Sequence, residues 1–306
     1  MTIPFWIPVT IGAAFFQVWR TALQARLRQE LSTGGASFIR YLFAIPVDIA
    51  MLLSAWWWFP VNLPTPSLTI IGLCLGGGVA QIIGTVLLIT AFGLRNFVVG
   101  TAYAKTEAAQ LVLITVVFFG AHLPALAILG IMIAVLGVLA LSFVDQPIGL
   151  RALILASVQP AALCGLGAGF AFALTALAIR AASLRLPLAT PVVLKAALIL
   201  LITNTLQTLV QGTYMMFRQR EQLHRCMRAW RKAAPVGALS AIGSLGWFTG
   251  FALTAVALVR GLGQIEMVFT FLFGHHFLKE RVRWQEILAV LVVTGGVVMI
   301  IAADIP

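Results

Sequence analysis

The sequence predicts an all-α integral membrane protein with ten transmembrane helices, arranged as two inverted five-helix repeats. Of its 306 residues, 61% are hydrophobic and only 9% are charged, and the mean hydropathy is +1.04. A soluble domain of this length could not bury so much apolar surface. Several apolar stretches are longer than about 18 residues, which is the length that marks a helix able to cross a bilayer.

Ten hydrophobic segments predict these helices, and turn-forming or charged residues separate each segment from the next. The segments cover about 4–24, 36–58, 67–91, 97–119, 122–143, 152–178, 187–213, 234–258, 262–278 and 285–303. The stretch "WWWF" (56–59) is typical of the aromatic end of a span at the membrane interface. The three cysteines follow neither a disulfide nor a metal-binding pattern.

The second half of the sequence resembles the first. Shifting residues 107–142 by 159 positions onto 266–301 gives seven identities in 36 positions without a gap, and it superposes Glu107 on Glu266. Because each half contains five helices, an odd number, the second half must enter the membrane inverted. Inverted repeats of this kind are typical of transporters, with the substrate site where the halves meet near the midplane. The predicted repeats are residues 1–146 and 147–306.

One long connection, residues 214–233, is rich in arginine. At helical spacing it has an apolar side and a basic side: Leu223, Met227 and Trp230 against Arg220, Arg225, Arg228 and Arg231. This pattern predicts a basic amphipathic helix on the cytoplasmic membrane surface, next to anionic lipid. Binding of a regulatory partner is the alternative interpretation.

The basic residues also predict an orientation. The net charge of +11 is expected of a membrane protein with basic cytoplasmic loops, and it does not indicate a nucleic-acid partner. Four basic residues lie inside predicted helices: Arg20, Arg40, Lys105 and Lys195. Of the other 16, 13 fall in loops that follow odd-numbered segments and 3 in loops that follow even-numbered ones. The positive-inside rule therefore places both termini outside the cytoplasm.

The stretch "TAYAKTEAAQ" (101–110) places charges inside an apolar segment. Glu107 lies about midway along the fourth segment and Glu266 lies well inside the ninth. An unpaired charge at a helix centre costs roughly 3 kcal/mol on insertion scales. Tyr103, Glu107 and Gln110 share a helical face from which Lys105 points away. We therefore expect Lys105 to pair with another helix, either through Asp48 or through a substrate carboxylate.

These charges define a candidate site for substrate and protons. Its predicted members are Glu107, Glu266, Lys105, Tyr103, Gln110, Gln264, Gln17, Gln81, Trp19 and Trp247. The two glutamates would exchange protons or bind an ammonium group, because burial favours a neutral or paired carboxyl group. The aromatic residues would cover the organic part of a cationic ligand. The alternative is that the charges form structural pairs and that Arg40 and Lys195 extend to the interface.

Other functional classes find little support in the sequence. His275 and His276 are adjacent, so their side chains diverge by about 100° on a helix and do not predict a metal site. The glycine clusters "GLGAG" (165–169) and "GGG" (76–78) lack the strand and the Lys-Ser/Thr of a phosphate loop. We therefore expect no catalytic residues, no metal and no cofactor, and the protein is not predicted to be an enzyme. A proton gradient is the candidate energy source.

Two stretches carry a resemblance to a known family. "SFIRYLFAIP", with Arg40, and the ending "FTFLFGHHFLKERVRWQEILAVLVVTGGVVMII" resemble the EamA-like ten-helix transporters of the drug/metabolite transporter superfamily. The resemblance implies a secondary transporter with a central cavity, and many relatives export amino acids, metabolites or toxic organic compounds. Most relatives are thought to have both termini inside the cell, so the predicted orientation departs from the family.

The sequence thus predicts a secondary transporter that moves a small polar or zwitterionic organic solute, amino-acid-like, metabolite-like or drug-like, by alternating access. Proton-coupled export is the expected mode, and the expected partners are the solute and the lipid bilayer. We expect a monomer or homodimer in a bacterial inner membrane. The alternatives are a non-transporting membrane subunit and a membrane protein that acts on lipid-linked substrates, with purely structural buried charges in either case.

Overall fold

The computed structural model describes residues 3–27, 30–93, 103–142, 159–277 and 284–304, which form helices, with no strand among them. In the first half these are α1 (Trp6–Leu27), α2 (Thr33–Leu42), α3 (Ile45–Trp58), α4 (Leu68–Gly93), α5 (Glu107–Phe119) and α6 (Ala125–Ser142). In the second half they are α7 (Pro160–Leu184), α8 (Val192–Arg218), α9 (Arg220–Arg228), α10 (Trp230–Leu253), α11 (Val256–Leu262), a 3₁₀ helix (Gly263–Ile265), α12 (Glu266–Phe277) and α13 (Trp284–Asp304).

The chain is a multi-pass integral membrane protein. Within the described ranges, six helical regions are long and apolar enough to cross a membrane: Thr33–Trp58, Leu68–Leu88, Pro160–Leu184, Val192–Arg218, Trp230–Leu253 and Trp284–Asp304. Each of the ten predicted segments overlaps at least one described helix. The count of ten membrane crossings and the inversion of the repeats stay predictions.

Two predicted segments are divided by a local break. The second segment forms α2 and α3, which meet at Phe43 and Ala44, and Pro46 lies at the start of α3. Proline suits the first turn of a helix because its missing N–H would have no partner there. The ninth segment contains the 3₁₀ helix and α12, and α11 precedes them.

The helices form two compact units, and each unit draws on both halves of the sequence. The first unit comprises Met1–Ala14, Ile83–Ala173 and Ala255–Pro306. The second comprises Phe15–Ile82 and Leu174–Thr254. A compact unit and a sequence repeat are different divisions of a chain, and the predicted boundary at residue 147 lies outside the described residues. The assignment of the two repeats stays a prediction.

In the first unit, α6 and α13 pack with their backbones close together. A Cβ atom at Gly296 would lie 2.6 Å from the backbone nitrogen of Ala134 and from the carbonyl oxygen of Gly130. One at Gly137 would lie 2.8 Å from the backbone nitrogen of Val293. Small residues allow this approach, which strengthens van der Waals packing between membrane helices.

In the second unit, α8 packs against α2, α3 and α10, and the surface helix α9 packs on α2. Residues Arg220–Arg228 of the predicted connection form the helix α9, whereas its first and last parts belong to α8 and α10. The role of residues 214–233 as a cytoplasmic amphipathic connection stays a prediction. Leu223 and buried Cys226 face the protein, while Met227 is exposed. Because Leu223 faces the protein, only part of the predicted apolar side is free to face lipid. Burial also raises the pKa of the Cys226 thiol to about 11.

Candidate functional site

The stretch around Lys105 is not one continuous helix. Tyr103 and Ala104 are helical, Lys105 and Thr106 form a turn, and α5 begins at Glu107. The Thr106 hydroxyl donates to the Tyr103 carbonyl at 2.6 Å, which holds the turn. The predicted placement of Glu107 midway along a helix is therefore wrong, and the part of that segment before Tyr103 lies outside the described residues. Glu107 lies instead at a helix N-terminus, where free N–H groups and the helix dipole stabilise a negative charge.

Glu266 occupies the same local position as Glu107. It is the first residue of α12 and directly follows the 3₁₀ helix Gly263–Ile265. The two residues that the sequence repeat superposes are thus both the first residue of an α-helix, Glu107 after a turn and Glu266 after a 3₁₀ helix through which the backbone stays right-handed helical. Discontinuous helices with exposed half-helix ends are a common feature of transporter binding sites.

Two ion pairs join these helix starts within the first unit. The Lys105 ammonium contacts the Glu266 carboxylate, and the two side chains are 27% and 9% exposed. Arg260 Nε lies 2.9 Å from Glu107 Oε1, with side chains 18% and 13% exposed. Each glutamate is thus paired with a cation that precedes the other glutamate in the sequence. We call these four residues the charge cluster.

The structure confirms that Lys105 pairs with another helix, but Glu266 rather than Asp48 supplies the carboxylate. Asp48 belongs to the second unit, where one of its oxygens accepts a hydrogen bond from Asn204 Nδ2 at 2.7 Å. Both residues of that hydrogen bond are buried. The binding of a substrate carboxylate by Lys105 stays a prediction.

Arg260 is the member of the charge cluster that the sequence reasoning missed. The predicted segments ended at 258 and restarted at 262, so Arg260 was counted as a loop residue. It lies in α11, six residues before Glu266. A shift of two residues in one boundary would have found it, because helix ends are the least certain part of a sequence-based assignment.

Arg180 corrects the loop count in the same way. It lies in α7 and donates to the carbonyl oxygens of Phe251, at 2.7 Å, and Thr254, at the end of α10. Two of the three basic residues assigned to loops after even-numbered segments are therefore helical residues with protein partners. The larger set also contains helical residues, among them Arg218 in α8 and Lys232 in α10, so these two corrections do not change the charge argument and the orientation stays a prediction.

Two predicted amides support the first-unit site. Gln110 Nε2 donates to Thr106 Oγ1 at 3.0 Å and to the Leu166 carbonyl at 3.3 Å. Gln264 Nε2 donates to the Lys105 carbonyl at 3.4 Å. A Cβ atom at Gly169 would lie 3.0 Å from the Ala104 carbonyl, so α7 passes very close to this stretch. These contacts fix the turn that presents Lys105.

The remaining predicted residues occupy separate surroundings. Tyr103 is buried in an apolar cluster of the first unit with Ala161 and Ala162. In the second unit, Trp247 Nε1 donates to Gln17 Oε1 at 3.0 Å, and Gln207 Nε2 donates to Gln81 Oε1 at 2.8 Å. Trp19 is exposed and lies edge-on to the Phe15 ring at 6.2 Å. The role of the aromatic residues in covering a ligand stays a prediction.

Comparison with known proteins agrees with this architecture. Residues 159–302 match the model of the EamA-like transporter family. A solved structure, titled only as a crystal structure of a protein, is 18% identical in sequence and superposes with a TM-score of 0.65. The alignment covers 95% of this chain and 97% of that chain, and at this identity it shows a shared fold alone. No curated protein matches the sequence significantly.

Proposed function

Because residues 159–302 belong to the EamA-like transporter family, we propose that the protein is a secondary transporter that moves a small polar or zwitterionic organic solute by alternating access. The matched residues include the second of the two stretches that resemble the drug/metabolite transporter superfamily, and the first stretch lies outside them. Members of this family are membrane transporters rather than enzymes. The solute class, the mode of transport and the coupling are our proposals, as is a bacterial inner-membrane location.

The charge cluster is the observation that supports this proposal. Its two cations and two carboxylates neutralise one another at the starts of two helices, and Glu107 and Glu266 are the residues that the sequence repeat superposes. Buried ion pairs in membrane proteins mark solute and proton pathways when they line a route between helices. A zwitterion can insert into the Lys105–Glu266 pair, because its carboxylate satisfies the lysine while its ammonium satisfies the glutamate.

The same pair supplies a route to proton coupling. A proton and an ammonium group compete for the Glu266 carboxylate, so only one of them occupies it at a time. If the carboxylate faces each side of the membrane in turn, solute leaves in exchange for an entering proton. In this scheme an entering proton drives the export of a zwitterion. Binding of the zwitterion does not change the net charge of the cluster, because the solute has no net charge.

The basic surface helix is proposed to bind anionic lipid. A pocket of about 390 Å³ lies beside α9 in the second unit. Its lining residues are Glu30, Leu31, Arg225, Arg228, Ala229, Arg231 and Lys232. Lys232 contacts Glu30, while Trp230 and Met227 remain exposed nearby. Basic groups beside exposed aromatic and apolar side chains suit the headgroup region of a bilayer.

A ligand screen tests the transporter proposal. The purified protein is melted with amino acids, polyamines, quaternary amines, sugars and phosphorylated metabolites, alongside Glu107→Gln and Glu266→Gln. Glu221→Gln is the matched control, because that carboxylate is exposed on the surface helix α9. A ligand that binds only the folded state raises its stability. We expect a zwitterion to raise the melting temperature of the wild type and the control but not of the two site variants.

The opposite result identifies the alternative function. If no compound stabilises the wild type and the two site variants melt far lower, the ion pairs only hold helices together. The protein would then be a membrane subunit whose buried charges are structural, because breaking a buried pair leaves one charge uncompensated.

A further inference from the structure

Two arginines of the second unit lie opposite each other on neighbouring helices. Gln24 Nε2 of α1 donates to the Ala36 carbonyl of α2 at 2.6 Å. Helix α2 follows α1 after a short connection and packs back against it. The residue one helical turn before Gln24 in α1 therefore faces the residue one turn after Ala36 in α2. Those positions are Arg20 and Arg40, and the two guanidinium groups are within electrostatic range of each other.

A third helix borders this pair. Arg40 Nε donates to Ser240 Oγ of α10 at 3.3 Å. Two turns further along α10, Trp247 Nε1 donates to Gln17 of α1 at 3.0 Å. The three helices α1, α2 and α10 therefore meet along one line, which we call the arginine seam. Its members are Gln17, Arg20, Ser37, Arg40, Tyr41, Ser240 and Trp247.

The arginine seam has positive charge without a matching carboxylate. The ion pairs found among the described residues lie elsewhere: Lys105–Glu266, Arg260–Glu107, Arg225–Glu221 and Lys232–Glu30. The alternative interpretation, in which Arg40 extends to the interface, stays a prediction; the Arg40 guanidinium lies 5.3 Å from the centre of the neighbouring Tyr41 ring. Both arginine side chains are half-buried, and Arg20 Nη2 donates to the Thr21 hydroxyl at 3.3 Å. Two like charges in partly buried surroundings are costly unless an anion joins them.

Enclosed polar atoms accompany the two charges. Within the described part of the chain, Arg20 Nε, Ser37 Oγ and the Tyr41 hydroxyl are enclosed and have no hydrogen-bonding protein partner. Ser37 and Tyr41 are 4% and 1% exposed. Ser37, Arg40 and Tyr41 share one face of α2, since they are three and four residues apart. A buried polar group without a partner costs about 1–3 kcal/mol, so these atoms favour a ligand with oxygen acceptors.

We propose that the arginine seam binds the carboxylate group of an organic solute. A carboxylate has two oxygens and about four acceptor sites, which match two guanidinium forks and two hydroxyl groups. The Tyr41 and Trp247 rings offer apolar surface to the carbon chain, and Trp247 stacks on Phe251 with ring centres 6.2 Å apart. This site is additional to the carboxylate site proposed at Lys105, and only its link to transport rests on the proposed function.

Binding to the full-length protein in neutral phosphatidylcholine nanodiscs tests the site. The probes are succinate, L-alanine, the uncharged succinamide and inorganic phosphate; anionic phosphatidylglycerol nanodiscs test lipid as the source of the anion. We expect succinate and L-alanine to bind and succinamide not to bind. Arg20→Gln and Arg40→Gln should each weaken carboxylate binding by about 10-fold or more, because each removes charge-assisted hydrogen bonds.

Two further variants make the test specific. Arg185→Gln is the control, since that side chain is exposed and bonds to the Ala181 carbonyl on its own helix; we expect unchanged binding. Arg40→Lys keeps the charge but loses the planar fork, so it should bind more weakly than the wild type and more tightly than Arg40→Gln. The inference is overturned if the arginine variants bind succinate as the wild type does. It is also overturned if phosphate or anionic lipid, and no carboxylate, depends on Arg20 and Arg40.

Chemical modification covers the case in which a variant does not fold. Phenylglyoxal is reacted with the wild-type protein, and the modified arginines are identified by mass spectrometry. Saturating succinate should slow modification of Arg20 and Arg40 several-fold and leave Arg185 unaffected; equal modification with and without succinate overturns the site. Failure of transport with intact carboxylate binding would refute the proposed function alone. Transport that persists while the arginine variants keep full binding would refute the arginine seam alone.

Discussion

The two units treat buried charge in opposite ways. In the charge cluster of the first unit, two cations face two carboxylates and the sum is zero. In the arginine seam of the second unit, two guanidinium groups lie together and no described carboxylate pairs with either. The first arrangement is neutral without a ligand, whereas in our proposal the carboxylate of a bound solute neutralises the second. The comparison shows that a buried charge indicates a binding site most clearly where the protein does not neutralise it.

The local structure explains the difference. Glu107 begins α5 after a turn, where the helix N-terminus stabilises its charge, whereas Glu266 begins α12 directly after a 3₁₀ helix and is stabilised by Lys105. Arg20 lies within α1, whereas Arg40 lies in the last turn of α2, where the helix dipole favours a positive charge. No carboxylate among the described residues pairs with either arginine. The same residue types would behave differently if these backbone positions were exchanged.

The largest expected effect is a difference in stability between a variant of the charge cluster and a variant of the arginine seam. Lys105→Met leaves the Glu266 carboxylate buried without its cation and should destabilise the protein by about 3–5 kcal/mol. Arg40→Met removes one of two like charges and should leave the stability unchanged or raise it. Thermal unfolding of both variants in the same detergent measures this difference. Equal destabilisation by both variants would show that the arginine seam is neutralised by a protein carboxylate.

A variant that changes packing but not charge shows how much stability the first unit loses when only a helix contact is disturbed. A Cβ atom at Gly296 would lie 2.6 Å from backbone atoms of α6, whereas at Gly295 it would meet nothing within 4 Å. Gly296→Ala should therefore lower stability by about 1–3 kcal/mol through overpacking. Gly295→Ala should cost nothing and even gain slightly from helix propensity. Melting temperatures check the pair, and identical values for the two variants would disprove the close contact of α6 and α13.

A variant beside the charge cluster moves its backbone without changing its charges. At Gly169 a Cβ atom would lie 3.0 Å from the Ala104 carbonyl and 3.1 Å from Gln110 Nε2. Gly169→Ala should displace the turn that presents Lys105, cost about 1 kcal/mol in stability and reduce transport severalfold. Gly76→Ala is the control, because nothing lies within 4 Å of a Cβ atom there. Wild-type transport by Gly169→Ala would mean that the position of the turn does not matter for the solute.

The smallest effect concerns the end of the arginine seam. Trp247→Phe keeps an aromatic ring but loses the hydrogen bond that the indole donates to Gln17. The expected loss of stability is about 1 kcal/mol, the usual net contribution of one such bond. Urea or thermal unfolding measures it against Trp230→Phe, whose side chain is exposed. No difference between the two variants would show that the Gln17 contact does not hold α1 to α10.

Much of the fold followed from the sequence because apolar periodicity and length are physical requirements of a bilayer. The buried glutamates were found because a charge in an apolar run is conspicuous. The pairing of Lys105 with Glu266 and the inclusion of Arg260 were not found, since one depends on tertiary contact and the other on an exact helix boundary. The positions of Arg20 and Arg40 opposite each other were also not predicted, because the sequence of neither segment gives the distance between two helices.

Uptake into proteoliposomes tests the central claim most directly. The protein is reconstituted, and the solute that stabilises it most in the ligand screen is supplied in labelled form with and without a pH gradient. The account predicts accumulation that the gradient drives, that Glu266→Gln abolishes and that Glu221→Gln leaves intact. Uptake no greater than in empty liposomes, or full uptake by Glu266→Gln, would contradict it.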